Sequence, residues 1–199
     1  MFESKDETAP DDRPGLVICA YDVDEAGWDP VEDLSGQPWS PAGARTLAVA
    51  GGEPEALAKV LSGHLEDRRC RGLLLVGRTR RSDAFRVQIR AENRALEGGQ
   101  RLDSLGPGMA RATAPVADIV RALNEAGLAA SASSDSEEDA GSYLLYRVLS
   151  SLPDGPDTPA IGLLRAPEDE SDAAVQRAVK AAAQAMAHHL SPLPRSRAH

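Results

Sequence analysis

The order of apolar and polar positions divides the chain into short apolar runs and longer stretches of helical period. Leu16-Val17-Ile18-Cys19-Ala20 is a continuous apolar run, and Thr46 to Ala50 and Gly72 to Val76 read the same way, ended by Gly51-Gly52 and Gly77. Runs this short predict strands buried on both faces. Phe85-Arg86-Val87-Gln88-Ile89-Arg90 alternates with period two, which predicts a strand with one wet face. Leu128 to Ala132 and Ala160 to Leu164 complete six predicted strands.

Four stretches have the period of a helix instead. Ala56, Leu57, Val60, Leu61 and Leu65 form an apolar stripe after Pro54. Val116, Ile119, Val120 and Leu123 form a second, with Pro115 near its start and Gly127 past its end, the usual asymmetry. Tyr143, Leu144, Leu145, Val148, Leu149 and Leu152 form a bulky third. Ala174, Val175, Ala178, Val179, Ala182 and Met186 form the fourth, with Ser171 as its N-cap. Strands and helices in near alternation predict an α/β fold, a three-layer αβα sandwich with a mostly parallel, twisted sheet.

Residues 15–190 then make one domain between tails. Residues 1–14 are rich in Asp, Glu and Pro without periodicity, and residues 191–199 hold two prolines and two arginines, so both are expected to be disordered. Residues 21–45 carry three prolines, three glycines and no clear element, a long loop of the kind that is usually functional or mobile. No repeat or low-complexity segment interrupts the chain.

Composition narrows the function classes. The 199 residues carry 22 Lys and Arg against 31 Asp and Glu, a net charge of -9, which opposes both nucleic acid and anionic membranes as partners. Two Phe, two Trp and three Tyr cannot build a stacking platform for bases. No apolar run approaches the ~20 residues of a membrane span, and the acidic N-terminus has no signal-peptide core. Two cysteines are too few for a disulfide or zinc framework. These features predict a cytoplasmic protein.

General motifs add little. No phosphate-binding glycine loop, dinucleotide fingerprint or nucleophile elbow is present. Among His64, His188, His189 and His199, the adjacent pair has no acidic or Cys partner at ligand spacing, so no metal and no cofactor is expected. Cys19 reads as a small buried hydrophobe within a strand. Cys70 lies among Arg68, Arg69 and Arg71, which would lower a thiol pKa, but no base is near it in sequence.

The succession of elements is more informative. Gly72-Leu-Leu-Leu-Val-Gly77, then Phe85-Arg86-Val87-Gln88, then Gly106-Pro107 and Leu123-Asn124-Glu125-Ala126-Gly127-Leu128-Ala129-Ala130 follow one another in a set order. Ser131 to Ser134, Tyr146-Arg147-Val148-Leu149 and Gly162-Leu163-Leu164-Arg165-Ala166-Pro167 continue it. In order and spacing this stretch, residues 72–167, resembles the pyroglutamyl peptidase I (pyrrolidone-carboxylate peptidase) family of cysteine peptidases. Leu16 to Asp24 and Trp28-Asp29-Pro30 resemble that family's opening strand and loop more loosely. The resemblance implies the family's α/β fold and a tendency to form homo-oligomers.

It also implies a catalytic Glu, Cys and His, and the chain has none of them. The resemblance places the glutamate at Phe85, the cysteine at Gly141 and the histidine at Arg165. Glycine supplies no nucleophile, and a guanidinium with a pKa above ~12 cannot serve as a general base near neutrality. Tyr21-Asp22-Val23-Asp24 keeps one aromatic where the family's first loop has more.

Charge stands in the vacated cleft. Asp135-Ser136-Glu137-Glu138-Asp139 precedes the third helix, where carboxylates complement the helix dipole. Arg165 either pairs with one of these acids and plugs the cleft, or points to water beside a solvated loop. Tyr21, Asp139, Ser142 and Arg165 are the candidate ligand-pocket residues. A small cationic ligand or peptide N-terminus would suit the acids, and a carboxylate would suit Arg165. Three readings remain open: a non-catalytic binding or interaction module; a hydrolase using Ser142 with Asp139 or Glu138 as base; and a structural subunit, self-associated or paired with an active partner.

Overall fold

A computed structural model describes residues 11–22, 29–33 and 35–190. The expected tail at 191–199 lies outside these residues, as do positions 1–10 of the first. The rest of that first tail is held in place. Arg13 Nη1 donates to Pro41 O at 3.1 Å, Arg69 Nη2 to Asp11 O at 3.2 Å, and Arg45 N to Pro14 O at 3.0 Å.

The elements are β1 (Gly15–Ala20), β2 (Arg45–Val49), α1 (Pro54–Glu66), β3 (Cys70–Thr79), β4 (Phe85–Gln88) and β5 (Arg90–Glu92). They continue with β6 (Met109–Arg111), α2 (Val116–Glu125), β7 (Ala130–Ser133), α3 (Ala140–Ser151), β8 (Ala160–Pro167) and α4 (Asp172–Ala187). One sheet has the order β2-β1-β3-β8-β4-β7. All its neighbours are parallel except β4 and β8, which run antiparallel. The six predicted strands are these six, and the four predicted helices are α1 to α4.

Alternation along the strands explains the three layers. Leu16, Ile18, Leu74, Val76 and Leu164 join a core with Ile119 and Leu123 of α2 and with the alanine-rich face of α4. Val17, Cys19, Leu73, Leu75 and Leu163 join a second core with Leu57 and Leu61 of α1 and Leu144 and Leu145 of α3. Each central strand is buried on both faces, so it reads as a continuous apolar run.

Local chemistry sets the element ends. Ser171 caps α4 by accepting from Ala174 N at 3.2 Å, as its position predicts. α2 closes on Gly127 at φ 76°, with Gly127 N donating to Asn124 O and Leu128 N to Leu123 O. That pairing is the Schellman closure, and it takes Leu128 into the helix end rather than the strand. β7 accordingly starts at Ala130, later than the apolar run suggests.

The predicted strand at 85–90 is divided. β4 ends at Gln88, and Arg90 begins β5, which pairs antiparallel with β6 in a separate ribbon. The polar face of β4 is not wet: Gln88 is 1% exposed and Arg86 half-buried. The face is polar because it meets the buried cluster described below.

Both outer strands are guarded. Asn124 Nδ2 donates to Ala130 O at 3.0 Å, and its Oδ1 accepts from Ala130 N at 3.1 Å, so one amide side chain acts as a neighbouring strand for β7. Arg90 Nε donates to Ser134 O at 2.9 Å just beyond it. At the other edge, Ser40 Oγ accepts from Thr46 N at 3.1 Å. Such devices limit edge-to-edge pairing.

Candidate functional site

The C-terminal ends of β1, β3 and β8 meet the N-terminus of α3, and there Tyr21, Gly141, Ser142, Asp139 and Arg165 come together. Arg165 follows Leu164 on β8, so alternation turns it to the α3 side. Its side chain is 2% exposed. Five hydrogen bonds hold it. Nε donates to Gln88 Oε1 at 2.9 Å, Nη1 to Tyr21 Oη at 3.2 Å, and Nη2 to Ser142 Oγ at 3.0 Å. Nη1 and Nη2 also grip the two oxygens of Asp139 at 2.5 and 2.7 Å. Glu137 lies 3.7 Å from Nη1, with both its oxygens accepting from Thr79 Oγ.

Arg165 is therefore paired rather than pointed at water. Burial alone would lower its pKa, but the Asp139 hydrogen bonds and nearby acids outweigh that and hold it above its ordinary value. Asp139 also caps α3 by accepting from Ser142 N at 3.0 Å. One carboxylate thus satisfies a helix donor and a buried guanidinium together.

Tyr21 occupies the space beside Gly141. A Cβ on Gly141 would come within 2.5 Å of Tyr21 Cζ, with the hydroxyl oxygen closer still. A Cβ on Gly77 would come within 2.7 Å of Tyr21 Cε1, again with closer ring atoms. The ring therefore sits between two glycines, one near the end of β3 and one in the first turn of α3. Burial raises the Tyr21 phenol well above its ordinary pKa, so it stays protonated.

Phe85 is not part of this cluster. It packs with Val87 and Leu164 on the α2–α4 face, opposite the side that holds Arg165. The residue of β4 that reaches Arg165 is Gln88, three positions later, which also donates to Ser142 Oγ at 3.2 Å. Phe85, where the resemblance places the glutamate, therefore stands apart from the cluster, and Gln88 is the β4 residue within it. Period two contained the signal, because Phe85 and Val87 share one face of the strand and Arg86 and Gln88 the other. Gly77, Thr79 and Glu137 also take part, and no local pattern singles out Gly77 or Thr79.

The four ligand-pocket candidates converge but pack on one another. The remaining recess, lined in part by Glu92, Arg94, Glu138, Asp139 and Ser142, encloses ≈ 20 Å³. That is room for about one water, against the ~300 Å³ or more of a usual ligand pocket. Arg94 bridges Glu92 at 3.2 Å and also pairs with Glu138 across its mouth.

The nucleophilic alternative is not assembled. Ser142 Oγ accepts from both Arg165 and Gln88. Asp139 is committed to Arg165 and to the Ser142 backbone, and Glu138 to Arg94. Both carboxylates that could take a proton from Ser142 are thus paired elsewhere. Both cysteines are buried. Burial, helped by Asp22, pushes the Cys19 thiol up to about 12, and burial raises Cys70 despite the surrounding arginines.

Among the described residues no group of three or more His, Cys, Asp and Glu is placed to hold an ion. His189 does have an acidic partner that sequence spacing missed, since α2 brings Asp118 Oδ2 to 2.6 Å from its Nε2. Among the described residues no helix is long and apolar enough to cross a membrane.

No family model matches the sequence, and no curated protein matches it. Solved structures do match its fold. The pyroglutamyl peptidase I of Bacillus amyloliquefaciens superposes with a TM-score of 0.71 at 16% identity, covering 92% of this chain and 100% of that one. The pyrrolidone carboxyl peptidase of Thermus thermophilus gives 0.64 at 20% identity, over 85% and 98%. That of Thermococcus litoralis gives 0.69 at 14% identity, over 89% and 94%. The chain therefore has the α/β fold of the pyroglutamyl, or pyrrolidone carboxyl, peptidases along most of its length.

Proposed function

We propose that this protein is a pyroglutamyl-peptidase-like scaffold without peptidase activity, retained as a binding or interaction module. The observation that carries this reading is the joint filling of the cleft. Glycine stands where the resemblance places the nucleophile, and Tyr21 occupies the space beside it. Arginine stands where it places the base, locked to Asp139. Loss of a complete nucleophile–base unit costs on the order of 10⁶ in rate. The reading needs no metal or cofactor, and it fits a cytoplasmic protein that self-associates as a homo-oligomer.

The test is release of a fluorophore from a pyroglutamyl-linked substrate, beside a small panel of esters and amides. The expected result is no turnover above the rate with heat-denatured protein. Turnover that disappears in Ser142→Ala would replace this reading with that of a serine hydrolase. Turnover that survives Ser142→Ala would overturn both.

A further inference from the structure

We propose that the Arg165 cradle is a receptor for a small carboxylate, and that Asp139 occupies it from within. The proposal rests on reading the cleft as a non-catalytic binding site, and it names the ligand chemistry of that site.

The cradle has the donor set a carboxylate needs. Two guanidinium nitrogens and the Ser142 backbone N–H converge on the Asp139 oxygens at 2.5, 2.7 and 3.0 Å. This joins a planar fork to a helix N-terminus, the usual geometry for a bound anion. Receptor and occupant differ in placement. The Arg165 side chain is 2% exposed, whereas that of Asp139 is 31% exposed and belongs to the segment leading into α3. The carboxylate enters from the mouth, as a ligand would.

The fork is also fixed independently of its occupant. Gln88 Oε1, Tyr21 Oη and Ser142 Oγ accept from Arg165 behind and beside Asp139. These neutral contacts orient the guanidinium but supply no counter-charge. Glu137 approaches Arg165 from the same segment as Asp139. Displacement of that segment removes both acids together, so an incoming carboxylate meets a buried cation. Space limits the ligand: the recess of ≈ 20 Å³ beside Asp139 holds about one water, so a carboxylate head fits only in place of the Asp139 carboxylate, and anything larger must project past Arg94 and Tyr143. A free small acid and the C-terminal carboxylate of a peptide share this chemistry.

The experiment uses Asp139→Ala, which removes the internal carboxylate and leaves the fork. Its thermal midpoint is followed as sodium formate replaces sodium chloride at constant ionic strength. A saturable rise of several degrees is expected, smaller with acetate, shifted to higher formate in the wild-type protein, where the ligand must first displace Asp139, and absent in Asp139→Ala/Arg165→Leu. Where Asp139→Ala does not fold in chloride, recovery of its circular dichroism in formate is the same readout. Glycylglycine in place of formate assigns the site to peptide termini if it stabilises; stabilisation by formate alone assigns it to small acids. Indifference to formate in Asp139→Ala or in the wild type would overturn the proposal, as would an equal response in the double variant. Pyroglutamyl turnover is measured separately, so activity would remove the inactive reading without deciding this one.

Discussion

The ring of Tyr21 and a side chain at position 141 claim the same space, since a Cβ there would lie 2.5 Å from Tyr21 Cζ. Restoring a thiol by Gly141→Cys is therefore expected to destabilise the fold rather than create a nucleophile. Overpacking of this kind costs ~1–3 kcal/mol. A double-mutant cycle with Tyr21→Ala should show favourable coupling of at least ~0.5 kcal/mol in urea unfolding. Simple additivity would mean the two positions do not compete.

Asp139 and Glu137 both face Arg165, but only Asp139 grips it with two oxygens. Asp139→Asn is expected to cost ~3 kcal/mol, toward the lower end for breaking a buried pair by changing one partner. Glu137→Gln should cost about 1 kcal/mol, near the value of an ordinary hydrogen bond. Urea midpoints measured in parallel would show the order, and equal losses would contradict it.

Alkaline pH should unfold the protein earlier than a chain with ordinary thiols. Burial holds the Cys19 thiol at about 12 in the folded state, against 9.0 when free. The folded state keeps a proton that the unfolded state loses, so this stability is fully present below pH 9 and declines as pH rises toward 12. The slope from one such group is at most ~1.4 kcal/mol per pH unit. Tyr21 acts in the same direction. Cys19→Ala should flatten the decline. A thiol reagent at pH 8 should leave both cysteines untouched until denaturant is added.

Asn124 supplies the hydrogen bonds that a seventh strand would otherwise make at Ala130. Asn124→Ala should cost ~1 kcal/mol and leave that edge open to pairing. Light scattering after size exclusion would report the second effect as increased self-association. An unchanged mass would mean that Arg90 at Ser134 guards the edge sufficiently by itself.

The layers were legible because burial on two faces writes itself as uninterrupted apolar runs, as in Leu16 to Ala20, and burial of one stripe as period 3.6. The β5–β6 ribbon was not, since Arg90–Glu92 and Met109–Arg111 are three residues each and carry charge at their ends. Gly141 and Arg165 were placed by resemblance, and the structure sets them in one cluster with Tyr21. Phe85 stands apart from them, since the pairing of Val87 with Leu164 turns Phe85 and Val87 to one face of β4 and Gln88 to the other. The role of Tyr21 between Gly77 and Gly141 depends on contacts across 56 and 120 positions of chain, beyond the reach of any local pattern.

Asp139 Oδ1 both caps α3 and accepts from Arg165, whose second bond goes to Oδ2, and this has a consequence for hydrogen exchange. Helix ends ordinarily fray at little cost, independently of the interior. Here the amide of Ser142 cannot open to solvent through loss of its cap unless the guanidinium at the end of β8 loses its partner too. The first turn of α3 should then exchange at the pace of the sheet, with one deep-lying opening event in place of a frayed end.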